Sequence, residues 1–169
     1  MNIRKATPQD NFLLANLGVR TFADSFGADN TPEDMADYLK GSFSPKKQAT
    51  ELAEEGTTFL IAEIDGQPVG YTRLRQDPPP DCVTGVHPIE IVRLYSVKEW
   101  IGRGVGAALM QACLDEASRA GHDVIWLDVW EKNPRAIAFY QKWGFKKVGE
   151  QGFQLGSDLQ NDWLMVRQV

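Results

Sequence analysis

Residues 91–106 constrain the fold more than any other stretch of the chain. Ile91-Val-Arg-Leu-Tyr-Ser-Val97 is an apolar, β-branched run, and Lys98-Glu-Trp-Ile-Gly102-Arg-Gly104-Val-Gly106 carries it through a glycine-rich turn into the start of a helix. Glycines there let the backbone approach a bulky anion. The first free N–H groups of the helix then point at that anion, backed by the helix dipole. Arg103 adds a multi-donor cation suited to phosphate oxygens. The same residues also make an ordinary tight strand-to-helix turn, so spacing alone leaves both readings standing. A P-loop is excluded, because no Gly-Lys-Ser/Thr follows. Gly102, Gly104 and Ala107 meet a dinucleotide fingerprint literally, with Asp123 or Asp128 as the ribose-binding acid. That motif normally opens its fold, however, and here it lies past the middle of the chain.

Around this turn the chain alternates. Ile3–Ala6 reads as a strand, and Thr7-Pro8 opens a helix to about Arg20. Thr31-Pro32 starts a second helix, to Lys40–Gly41, and Ser44-Pro45 a third that ends near Gly56. Thr58–Ile64 and Val69–Arg75 are strands joined by the hairpin signal Asp65-Gly66, and Ile89–Val97 is the next strand. Gln76–Val86, with Pro78-Pro79-Pro80, is a loop. A helix over Gly104–Ala120, a strand over Val124–Trp130, a helix over Pro134–Trp143 and strands over Phe145–Phe153 and Trp163–Arg167 complete the order. An antiparallel hairpin feeding a β-α-β-α-β unit predicts an α/β (α+β) mixed sheet covered by helices. At 169 residues the chain has the length of one domain, 1–169, able to bury a core without disulfide or metal staples.

Charge and composition narrow the function classes. Eighteen Lys and Arg against 23 Asp and Glu give a net charge of −5, which argues against a nucleic-acid or anionic-membrane binder and suits a cationic substrate. Cys82 and Cys113 lie in no C-x-x-C spacing, and His87 and His122 in no H-E-x-x-H, so no metal is expected. The opening MNIRKATPQD lacks an apolar signal core, and no apolar run nears the ~20 residues needed to cross a bilayer. The expectation is a soluble protein of a reducing compartment, the cytoplasm.

A second constellation runs from Asn133 to Phe145. Asn133 reads as an N-cap with Pro134 at the first helical position, and Gly144 as the residue that ends the helix. Ala136, Phe139, Tyr140 and Trp143 share one helical stripe. That accounts for every residue type structurally, yet Tyr140 brings a hydroxyl to the inward face, where a phenol needs a partner.

Together the two constellations resemble the GCN5-related N-acetyltransferase superfamily. In that family Q/R-x-x-G-x-G/A follows the fourth strand, and N-x-x-A-x-x-F/L-Y-x-x-x-G-F lies on the last helix and strand. Ile101-x-x-Gly104-x-Gly106 matches the first except at Ile101, and Asn133-x-x-Ala136-x-x-Phe139-Tyr140-x-x-x-Gly144-Phe145 matches the second throughout. The opening IRKATPQD and the hairpin with Gly66 and Gly70-Tyr71 are similar too, so the likeness spans nearly the whole chain.

The resemblance implies a sheet of about six or seven strands with about four or five helices, splayed between the fourth and fifth strands. It implies acetyl transfer from acetyl-CoA to a primary amine by direct attack in a ternary complex. The coenzyme would be held by Gly102, Arg103, Gly104, Val105, Gly106 and Ala107 at the turn, by Leu94, Tyr95 and Ser96 along the strand, and by Asn133 and Tyr140. Tyr140 would serve as general acid, with Glu90 as general base and Asp128 as the second choice. Family members are often dimers, and no interface can be read in the sequence.

Thr21-Phe-Ala-Asp-Ser-Phe26, Asn30-Thr-Pro-Glu-Asp-Met35 and Asp162-Trp-Leu-Met165 further resemble a branch that includes polyamine acetyltransferases. Residues 21–43 carry five acids, Asp24, Asp29, Glu33, Asp34 and Asp37, against Lys40 alone. If they line the acceptor cleft, Asp34 and Asp37 favour a small cationic amine or polyamine. The alternatives are a catalytically silent acetyl-CoA sensor and a dinucleotide-dependent enzyme.

Overall fold

The computed structural model describes residues 1–169. In chain order it contains β1 (Asn2–Lys5), α1 (Asn11–Phe26), α2 (Pro32–Ser42), α3 (Pro45–Ala53), β2 (Thr57–Ile64), β3 (Gln67–Arg75), β4 (Pro88–Ser96), α4 (Val105–Arg119), β5 (Val124–Trp130), α5 (Pro134–Lys142), β6 (Lys146–Leu155) and β7 (Asp158–Gln168). The strands form one seven-stranded sheet in the order β1-β2-β3-β4-β5-β7-β6. Every neighbouring pair is antiparallel except β4–β5.

Local chemistry sets most boundaries. Thr31 and Ser44 cap α2 and α3 by accepting the Asp34 and Lys47 N–H groups, each with Pro at the first turn. Asp65 and Gly66 both take positive φ, 51° and 76°, the mirror-image turn that matches the twist of a two-residue hairpin. Three elements run longer than the sequence suggests. α1 continues past Arg20 because no breaker appears before Gly27. β6 and β7 extend to a turn at Gly156, since an edge hairpin can pair polar residues that carry no apolar alternation.

The decisive feature lies between β4 and β5. They pair only at Pro88–Val124, Ile89–Ile125 and Glu90–Trp126. On its other side β4 meets β3 with a shift between Arg73 and Leu74, whose partners are Arg93 and Ile91, so Val92 is an extra residue. Such a bulge bends the strand and raises its twist. From Ile91 onward β4 leaves β5, which pairs with β7 along its full length. The two parallel strands thus open a wedge floored by their own backbones.

Packing holds the wedge open. Ile89, Ile91, Ile125, Leu127 and Met165 meet Met110, Cys113 and Ala117 of α4 and Ile137 of α5 on one face. Leu14 and Leu17 of α1 meet Phe59, Ile61 and Tyr71 on the other. Gly70 lets α4 sit close: a β-carbon there would lie 2.7 Å from the Tyr95 carbonyl oxygen and 2.9 Å from Val105 Cγ1.

One buried charge cluster ties α3 to β3 and β4. Glu51, 2% exposed, takes two bonds from Arg93, at 2.7 and 3.0 Å, and lies 3.1 Å from Arg73, while Arg93 also lies over the Phe43 ring at 4.8 Å. Removing the shared carboxylate would strip Arg93 of both its ion-pair bonds and leave Arg73 with Glu54 alone. Glu51→Ala is therefore expected to cost about 3–5 kcal/mol, read from urea unfolding.

Candidate active site

A cavity of about 680 Å³ fills the wedge. Its floor is β4 from Glu90 to Ser96, and its walls come from the turn before α4, from α5, β5, β6 and β7, and from α1 and α2.

At one end stands the glycine turn. Gly102 and Gly104 adopt φ of +79° and +86°, and a β-carbon at either would meet no atom within 4 Å. The left-handed backbone, and not crowding, selects glycine here. The first bond of α4 runs from the Ala108 N–H to the Gly104 carbonyl, at 2.9 Å. The N–H groups of Gly104, Val105, Gly106 and Ala107 have no backbone acceptor. Together with the dipole of a 15-residue helix they form a positive cradle with open space before it.

Gly102, Gly104, Gly106 and Ala107 line the cavity, as do Leu94, Tyr95 and Ser96. Arg103 and Val105 do not. The Arg103 guanidinium lies over the Trp100 ring at 5.4 Å, and the Val105 side chain is wholly buried among Ala62, Val69 and Leu109. Ile101, in the position where the motif has Gln or Arg, gives the cavity an apolar wall. A cation that sequence reading missed also lines it. Arg135, on the first turn of α5, is the one lining arginine without a carboxylate partner, for Arg75 and Arg93 are paired.

Asn133 caps α5 through its Oδ1, which accepts the Ala136 N–H at 3.2 Å. Seven residues on, Tyr140 presents its phenol to the cavity, and no protein group hydrogen-bonds its hydroxyl. Burial, then the neighbouring Cys113 and Asp128, push that phenol above its ordinary value, so it is held protonated.

Three carboxyl groups line the cavity beyond Tyr140. Glu90, 5% exposed, accepts from Arg75 Nη2 at 2.6 Å and Nε at 3.0 Å. Burial raises it, opposed by Arg75. Asp128 accepts from Gln151 Nε2 at 3.2 Å. Asp162, 6% exposed, lies within hydrogen-bonding reach of Asp128, and its Oδ1 has no donor. Burial first and Asp128 second push Asp162 up to about 8. Sequence reading did not single it out as a site acid, because an acid inside a terminal strand carries no local signature.

The acids expected at the acceptor cleft are a correction. Asp34 and Asp37 do not line the cavity. Asp34 Oδ1 accepts the Ser157 N–H at 2.6 Å and its hydroxyl at 2.8 Å, bonds that hold the carboxyl below its ordinary value and brace the β6–β7 turn. Asp37 is exposed to solvent. The 21–43 segment instead contributes Phe22, Ser25, Phe26 and Tyr38 to the wall. Phe26 meets Trp130 at 6.1 Å and Tyr38 meets Phe153 at 5.5 Å, an aromatic chamber above the acids. A shallower cavity of about 390 Å³, with Asp29, Glu131 and Asp158, shares Trp130 and Gln160 with the main one.

The wedge between two parallel strands thus holds an anion cradle at one end and buried acids at the other. The comparisons name the family. Residues 21–145 match the model of the Acetyltransferase (GNAT) family, and the chain belongs to it as an N-acetyltransferase. It is 37% identical to an uncharacterized N-acetyltransferase from Lactobacillus delbrueckii subsp. lactis, over 87% of this chain and 85% of that one. It is 35% identical to an uncharacterized N-acetyltransferase from Mycobacterium tuberculosis, over 92% and 96%. In fold it is similar to the PaiA N-acetyltransferase of Thermoplasma acidophilum solved with coenzyme A, at TM-score 0.79 and 20% identity over 99% of this chain and 98% of that one. The ribosomal-protein-S18-alanine N-acetyltransferase of Escherichia coli gives TM-score 0.74 at 17% identity, over 99% and 93%. No helix is long and apolar enough to cross a membrane. No group of three or more His, Cys, Asp or Glu side chains is arranged to hold a metal.

The raised Asp162 makes stability depend on pH. The folded protein keeps a proton that the unfolded chain sheds near 3.8, so this contribution is full below that value and is lost as pH rises to about 8. In thermal unfolding, the stability of wild type relative to Asp162→Asn should fall steadily between pH 5 and 8 on that account. A difference that stays constant across the window would show that Asp162 titrates normally.

Proposed function

We propose that residues 1–169 form one domain that moves the acetyl group of acetyl-CoA to a primary amine by direct attack in a ternary complex. The preferred acceptor is a small cationic amine or a polyamine. One observation carries this reading: the glycine cradle, the unpaired edge of β4, Tyr140 and the buried acids all open into a single cavity.

The residues fit the donor. The positive φ of Gly102 and Gly104, the free N–H groups of α4 and the unpaired Arg135 suit a pyrophosphate, and the freed edge of β4 at Leu94–Ser96 suits a strand-like pantetheine arm. Bound there, acetyl-CoA supplies the acetyl group as a thioester. A β4 backbone N–H, freed by the wedge, is the natural donor to an oxygen that gains negative charge. Tyr140 Oη carries a proton for a leaving thiolate. A thiol near 8.5 is already a better leaving group than a phenolate near 10, so Tyr140 speeds the reaction without being indispensable.

An alkyl ammonium near 10.4 is neutral in only about 1 part in 2,500 at pH 7, a deficit of ~4.6 kcal/mol. Glu90, through a water, and Asp128 face the cavity for the task of removing that proton. Phe26, Tyr38, Trp130 and Phe153 give an alkyl stem an apolar, cation-tolerant wall. Asp29, Glu131 and Asp158 outnumber Lys132 in the adjoining cavity and favour a second ammonium, as a polyamine would bring. The cytoplasm is the expected compartment, in keeping with the free thiols of Cys82 and Cys113.

Calorimetry with acetyl-CoA and, separately, NAD tests the donor, and thiol release with an amine panel that includes spermidine tests the acceptor. Acetyl-CoA is expected to bind with micromolar Kd and NAD not at all. Gly104→Ala should weaken acetyl-CoA by roughly 5- to 150-fold, through ~1–3 kcal/mol of left-handed strain and a methyl in the cradle. Binding without thiol release for any amine would make the protein a sensor, and failure to bind would end the reading. Tyr140→Phe should slow turnover by roughly 10²–10⁴-fold in a folded protein, and an unchanged rate would remove its acid role.

A further inference from the structure

We propose that Asp162 contacts the acceptor: with Asp128 it forms a two-carboxyl seat on β5 and β7 that binds the incoming ammonium and takes its proton. This rests on the amine-acetyltransferase reading and deepens it, because the family match ends at residue 145, before β7.

The seat follows from strand register. Asp162 stands opposite Trp130 and Leu164 opposite Asp128, so the two acids share one face of the sheet as diagonal neighbours. Both line the cavity. Asp162 is 6% exposed, yet its Oδ1 has no donor. Burying an acceptor without a partner is costly, and one that faces a cavity is matched by a donor that enters from outside.

The surroundings set the sign of that donor. Around the pair stand Glu90 from β4 and Glu131 just after β5, the phenols of Tyr38 from α2 and Tyr140 from α5, and the Gln151 amide from β6. α1 contributes only Ser25 and the rings of Phe22 and Phe26. Of the arginines lining the cavity, Arg75 from β3 is spent on Glu90 and Asp77 and Arg93 from β4 on Glu51, while Arg135 stands on the first turn of α5. None of the three forms an ion pair with Asp128 or Asp162. Two neighbouring carboxyl groups without a counter-cation hold one proton between them. A primary ammonium supplies both the missing charge and up to three N–H donors.

The protons balance. The empty seat carries one proton and a charge of −1. When R–NH₃⁺ enters, the shared proton leaves to solvent, and two carboxylates face one ammonium. The ammonium then gives an N–H proton to the pair, leaving R–NH₂ with its lone pair free and the seat again singly protonated at −1. A pair that already prefers one proton takes it from an amine more readily than a lone aspartate at its ordinary value. Asp162 thereby acts on the deficit that opposes attack by an ammonium.

The test is calorimetry of spermidine binding to the full chain, with and without saturating coenzyme A, at pH 7 in two buffers of different ionisation heat. Wild type is expected to release about one proton per spermidine bound. Asp162→Asn should release none and bind at least about tenfold more weakly. Equal affinity and proton count in the variant, no proton release in wild type, or no spermidine binding by wild type would each overturn the proposal. If Asp162→Asn does not fold, carboxyl ¹³C NMR of wild type decides. The Asp162 signal should titrate far above an ordinary aspartate and drop on adding spermidine, and a signal indifferent to spermidine counts against the seat. Acetyl-CoA binding with amine-stimulated thiol release, but an unchanged proton count in Asp162→Asn, would sink this inference alone. Failure to bind acetyl-CoA would instead sink the acetyltransferase reading.

Discussion

The structure depends on a parallel pairing that stops after three residues. β4 and β5 share the ladder from Pro88–Val124 to Glu90–Trp126 and then part. Parallel strands in a continuous sheet satisfy each other's backbone groups, so a break in the middle of a sheet must be built by other contacts. Here the Val92 bulge bends β4 just where its pairing with β5 ends, and β7 claims the whole length of β5 on its far side. The cost is a row of free backbone groups on β4, and that row is what a strand-like donor arm can use.

Everything chemical is arranged around this opening. Gly70 lets α4 pack close enough that its N-terminal N–H groups reach one end of the wedge. Glu51, Arg73 and Arg93 fix α3 against β3 and β4, so the floor cannot slide. At the other end, acids on β4, β5 and β7 sit under an aromatic wall. Low dielectric strengthens each charge in that chamber, so Arg75 steadies the Glu90 carboxylate while Asp162, buried beside Asp128 with no cation of its own, is pushed above its ordinary value.

Much of this was legible in the sequence, and the residues that escaped did so for physical reasons. Gly102 and Gly104 announced a left-handed turn, and Asn133-Pro134 announced a helix start whose inward stripe includes Tyr140, because caps and turns are local chemistry. Asp34 misled because a run of acids says nothing about which way each one faces. Its partner is Ser157, 123 residues away. Arg103 sits in the turn as expected, yet the Trp100 ring three residues earlier draws it aside. The Val92 bulge and the Asp128–Asp162 pairing depend on strand register, which no local pattern encodes.

Amide hydrogen exchange with and without coenzyme A tests the central claim most directly, because it reads the backbone groups themselves. The account predicts strong protection on binding at Gly104–Ala107, whose amides have no backbone acceptor, and at those amides of Leu94–Ser96 that face the wedge and not β3. Protection elsewhere, with these amides exchanging as before, would contradict it.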